Sequence, residues 1–78
     1  MSMLLDVSII SPSEVVFEGK AKGLILPGEQ GVFEVLPFCR RILSILVSGK
    51  IVIDDKELPI RRGIVKAELN RVTAIIEQ

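Results

Sequence analysis

Leu26-Pro27-Gly28-Glu29-Gln30-Gly31-Val32-Phe33-Glu34-Val35-Leu36-Pro37 is the stretch that decides how this chain folds. Gly28 and Gly31 stand where a reversing backbone needs freedom to reach positive φ. Phe33 and Val35 alternate with Glu34, the period of a strand with one face turned inward. Pro27 and Pro37 have no N–H to donate to a ladder, which puts them at strand ends. The stretch reads as strand, tight turn, strand, turn. It fixes a shape and carries no chemistry of its own.

The period of two continues on both sides. Leu5, Val7 and Ile9 alternate with Asp6 and Ser8, and Ser11-Pro12-Ser13 is a turn. Val15 and Phe17 extend a second strand toward Gly19. Residues 20–26 read as a third, with Gly23 as a bulge. Residues 32–36 form a fourth. Residues 37–41 are irregular, and residues 42–47 are apolar but too short for periodicity to separate strand from helical turn. Residues 50–60 read as a hairpin around Asp54-Asp55-Lys56. Residues 63–69 and 72–77 form a last pair, turning at Asn70-Arg71. The expectation is one all-β domain over residues 1–78, an antiparallel β-sandwich of about eight to ten short strands.

Composition narrows the function. The chain has 78 residues, 49% of them hydrophobic. A domain this small buries only about 60–65% of its unfolded surface, so its aliphatic surplus suits a partner. Ten cations balance ten anions, and there is no Trp or Tyr. Both facts argue against nucleic acid, which calls for a basic excess and stacking rings. The chain contains no histidine, which removes the commonest zinc ligand and acid–base group. The single cysteine, Cys39, leaves no internal disulfide and suits a reducing compartment. Residues 1–10 lack the basic start of a targeting segment. No apolar run approaches the ~20 residues that span a bilayer, so no direct membrane insertion is expected.

Four constellations invite chemistry and decline it. Cys39 beside Arg40 and Arg41 has cations to favour a thiolate but no base. Asp54, Asp55 and Glu57 offer fewer oxygens than a hard cation needs, so no metal and no cofactor are expected. Asp55-Lys56 weakly matches the modified lysine of lipoyl and biotinyl carrier domains, which are also small β-sandwiches. A charged turn is the simpler account of it. Residues 28–31 resemble a phosphate loop only in their glycines, since a strand follows where a helix should begin.

The deciding stretch, as L-P-G-x-x-G-x-F-x-V-L-P, resembles the N-terminal β-sandwich domain of the F-type ATP synthase epsilon subunit. The resemblance extends along most of the chain. Ser8-Ile9-Ile10-Ser11-Pro12, Phe17-Glu18-Gly19, Ile42-Leu43-Ser44, Ser48-Gly49-Lys50-Ile51, Gly63-Ile64-Val65-Lys66-Ala67 and Asn70-Arg71-Val72-Thr73 follow in the family's order. It departs at Phe38-Cys39-Arg40-Arg41, where the family has Gly-His-Ala-Pro, at Arg62 before Gly63, and at Val32. The family's C-terminal helical hairpin is expected to be absent, and with it nucleotide binding and autoinhibition.

The resemblance implies a non-catalytic rotor subunit of the central stalk, peripheral to the cytoplasmic face of a bacterial inner membrane. It would bind the gamma subunit and the c-ring and couple ion flow to ATP synthesis. It places Ser11, Cys39 and Ser44 toward gamma and Glu29, Gln30, Gly31 and Val32 toward the c-ring. Phe38, Arg40 and Arg41 become candidate interface anchors. The alternatives are a carrier domain modified on Lys56 and an unrelated β interaction module.

Overall fold

The computed structural model describes residues 4–78. Residues 1–3, and with them the start of the 1–78 domain and of the 1–10 stretch, lie outside the described residues. Nine strands follow one another: β1 (Leu5–Ile10), β2 (Val15–Ala21), β3 (Leu24–Gly28), β4 (Gly31–Val35), β5 (Ile42–Leu46), β6 (Gly49–Ile53), β7 (Lys56–Ile60), β8 (Arg62–Glu68) and β9 (Arg71–Glu77). The order is β2-β1-β9-β8-β5-β3-β6-β7, with β4 on the other side of β3. One pair, Gly28 opposite Leu46, joins β3 to β5. There the sheet curls into a sandwich of two arms, β2-β1-β9-β8-β5 and β4-β3-β6-β7.

Alternation builds the core. Leu5, Val7 and Ile9 of β1, Val65 and Ala67 of β8, and Val72, Ala74 and Ile76 of β9 are buried from one arm. Leu24, Leu26, Val35, Ile51, Ile53 and Ile60 are buried from the other. No polar or charged residue is buried among the described residues. The core is held by apolar burial at about 25 cal/mol per Å² of surface removed from water.

The deciding stretch folds as its residues require. Residues 24–28 pair antiparallel with residues 31–35, with Leu26 opposite Phe33. Gly31 sits at φ 122, a conformation closed to side chains with a Cβ. Gly28 is needed for space instead, because a Cβ there would lie 2.8 Å from the Phe33 ring.

The structure revises several expectations. The β1–β9 pair is parallel, so the sheet is mixed rather than wholly antiparallel. Residues 20–26 are not one strand; the chain breaks at Lys22-Gly23, where the Asp54 carboxylate accepts both N–H groups, at 3.0 and 3.3 Å. The bulge falls at Val16 rather than Gly23, since Ile9 faces Phe17 while Ile10 faces Val15. Residues 42–46 are a strand because β8 pairs with them along their length. The last hairpin turns at Leu69-Asn70, both at positive φ, one residue earlier than read. Lys56 is not at its hairpin tip. It opens β7 opposite Ile53, with its Nζ 5.5 Å from the centre of the Phe17 ring. Lys56 is exposed, but it stands in the strand beside the turn and not in the turn where the carrier reading puts it.

Candidate functional site

The outward face of β2-β1-β9-β8-β5 carries two rows of side chains, and register creates both. At one end Ile10 lies opposite Val15 and Ile75, Ile75 opposite Ile64, and Ile64 opposite Ile45. These five β-branched side chains stand side by side on five strands. Ile45, Ile64 and Ile75 are 53%, 42% and 49% exposed. Leu43, two residues along β5, extends the row on the same face and is also exposed. The bulge supports this arrangement. Val16 and Phe17 both pack on the core, which leaves Val15 outside beside Ile10.

Toward the other end of the same strands the row is charged. Lys20 lies opposite Asp6, Asp6 opposite Arg71, and Arg71 opposite Glu68. Arg41 closes it, with its Nε 3.5 Å from Glu68 Oε1. The signs alternate across the sheet. Lys20 Nζ donates to Asp6 Oδ1 at 2.6 Å. This contact, and the Lys20 charge behind it, hold the Asp6 carboxyl below its usual pKa.

The expected site residues scatter over this frame. Glu29 and Gln30 form the β3–β4 turn, and Gly31 and the exposed Val32 open β4. They share one shallow depression with Ser44, so Ser44 stands beside the turn assigned to the ring. Ser11 follows Ile10, and its hydroxyl donates to the Glu14 carbonyl at 3.3 Å. Ser11 therefore follows the row's Ile10, whereas Ser44, opposite the buried Val65, is on the inward face of β5. Cys39 is away from both, half-buried against the core, in a loop with Phe38, Arg40 and Arg41. Phe38 is 65% exposed and Arg40 is exposed.

Asp54 is occupied by the backbone groups it accepts. Glu57 pairs with Lys50 at 3.2 Å.

Sequence reading missed the isoleucine row, although a signal was there. Ile9-Ile10, Val15-Val16, Ile45-Leu46, Ile64-Val65 and Ile75-Ile76 are apolar doublets that break the alternation. One member of each packs on the core and its neighbour points out. Such a row does no chemistry. Covered by an apolar partner surface, it supplies area, shape and register.

Comparison with known proteins bears on the fold and the family. Residues 4–78 match the family model described as the ATP synthase Delta/Epsilon chain, beta-sandwich domain. The ATP synthase epsilon chain of a Sulfurovum species is 33% identical over 79 residues, covering 95% of this chain and 62% of that protein. The epsilon chain of Rickettsia bellii is 43% identical over 61 residues, covering 76% and 56%. The chain thus spans about 60% of the length of such curated relatives. A chain in the Tetrahymena thermophila mitochondrial ATP synthase central stalk and c-ring structure superposes with a TM-score of 0.77 at 9% identity, covering 95% of this chain and 63% of that one. This last likeness is one of fold.

Proposed function

The chain belongs to the ATP synthase Delta/Epsilon chain β-sandwich domain family, and from that premise we propose that it is a non-catalytic rotor subunit of the central stalk. In this role it docks on the gamma subunit, meets the c-ring, and helps couple ion translocation to ATP synthesis. It sits peripherally at the cytoplasmic face of a bacterial inner membrane.

The observation that carries this reading is the isoleucine row. A domain of this size that leaves adjacent isoleucines exposed on three neighbouring strands has a face made for burial. Ser11, one of the residues assigned toward gamma by resemblance, directly follows the row's Ile10. The gamma subunit is accordingly the partner laid along it. The β3–β4 turn with Glu29, Gln30, Gly31 and Val32 is the segment offered to the c-ring. No helix among the described residues is long and apolar enough to cross a membrane.

Co-elution with the gamma subunit of the same organism tests this reading. A one-to-one complex that forms with the native chain and fails with Ile64→Asp supports it. A folded native chain that never co-elutes with gamma would refute it.

A further inference from the structure

Two large apolar residues occupy turn positions whose backbone calls for glycine or asparagine. Phe38 lies at φ 65 and Leu69 at φ 54, in the left-handed region that glycine and asparagine enter readily and bulky side chains do not. A two-residue hairpin turn with both central φ values positive selects Asn-Gly or Asp-Gly. Here it is Leu69-Asn70. Leu69 is 92% exposed, so packing does not explain it.

The two positions are tied together. The Phe38 N–H donates to Asn70 Oδ1 at 2.7 Å, and the Asp6 N–H donates to the Asn70 carbonyl at 2.8 Å. Asn70 thus locks the 37–41 loop to the β8–β9 turn and fixes the spacing of the two side chains. They flank an open depression that the half-buried Cys39 also lines. The depressions on either side of Leu69 are lined by Arg40, Arg41, Lys66 and Arg71 and by one carboxylate, Glu68. Glu68 is already engaged by Arg41 at 3.5 Å and Lys66 at 3.9 Å. Arg71 also faces Asp6 across the β1–β9 pair, so four cations meet two carboxylates around the tip, in a chain whose net charge is zero.

We infer that Phe38 and Leu69 form a two-pronged docking tip. It receives an apolar side chain carried on an acidic segment of the stalk partner. The left-handed backbone is the stored strain often found where a side chain is held out for a ligand. The cations complement an acidic segment and steer its approach. A lipid surface fits less well, because the apolar groups rim a concavity and Glu68 stands within it facing the headgroups. This tip deepens the stalk reading and rests on it. It adds a second contact at the opposite end of the outer face from the isoleucine row.

Leu69→Asn is the decisive variant, with Phe38→Asn as its companion. Asparagine adopts the required φ, and Leu69 contributes nothing to the core, so Leu69→Asn melts at or above the native temperature. The expected result is a Kd for the gamma subunit at least tenfold weaker in each variant, with Arg40→Glu also weaker and less salt-sensitive. Native binding to gamma that is unchanged in both asparagine variants overturns the tip and leaves the stalk reading standing. In that case, loss of binding to phosphatidylglycerol vesicles by the same variants would assign the tip to lipid instead. A native chain that does not bind gamma at all overturns both.

Discussion

Two rows cross the same face of the same strands and differ in one respect. The charged row, Lys20–Asp6–Arg71–Glu68–Arg41, satisfies itself: each group lies beside one of opposite sign. The isoleucine row has no such neighbours and leaves apolar surface in water. Cross-strand opposite charges favour one register and resist others, so the charged row is a device of the fold. The isoleucine row gives the isolated domain little, because its members are only half covered. Across the strands the charged row is paired, and the apolar row is not.

The sharpest way to break this contrast is at the centre of the apolar row. Ile64→Asp is expected to weaken gamma binding at least 100-fold in a calorimetric titration, while stability falls by only about 1 kcal/mol, the range of β-propensity in a strand. The mirror experiment is Asp6→Lys, which sets three cations side by side. Chemical unfolding should show a loss of about 1 kcal/mol, the scale of a cross-strand pair, with gamma affinity changed far less than by Ile64→Asp. Gentler still is the double change Ile64→Thr with Ile75→Thr. It keeps the β-branched shape and should leave stability within about 0.5 kcal/mol per site. It should also reduce self-association at high concentration and weaken gamma binding.

The smallest effect is one of pH. Lys20 holds the Asp6 carboxyl below its ordinary pKa, first through its hydrogen bond and then through its charge. A group whose folded pKa is depressed stabilises the fold above its unfolded pKa and loses that contribution as pH falls through the folded value. Stability should therefore decline in acid below about pH 4, the unfolded range of aspartate. The Lys20→Met variant should lack this part of the decline. Carboxyl NMR should show the Asp6 pKa rising in that variant.

What could be read from the sequence follows the range of the forces involved. The β3–β4 hairpin is local, and Gly28, Gly31, Phe33 and Val35 announce it. The core positions of β1 and β9 follow from alternation alone. The break at Lys22-Gly23 was hidden because the carboxylate that makes it, Asp54, lies 31 residues further on. The parallel β1–β9 pair was hidden because strand partners far apart in the chain leave no local mark. Leu69-Asn70 was misread because leucine is the wrong residue for that turn, which is the reason it is informative. The resemblance supplies Ser11, Cys39 and Ser44 as isolated positions, and only the register shows the row of side chains that begins beside Ser11. The doublets were visible, but their meaning required knowing that five strands align them.

The central claim is that the isoleucine row is the face laid against gamma. Isoleucine methyl NMR of the labelled chain, with and without unlabelled gamma, tests it most directly. The methyl signals of Ile10, Ile45, Ile64 and Ile75 should shift or broaden. Those of the buried Ile51 and Ile53, and of Ile25 on the outer side of the opposite arm, should change far less. Perturbation centred on Ile25, with the four row residues undisturbed, would contradict the account.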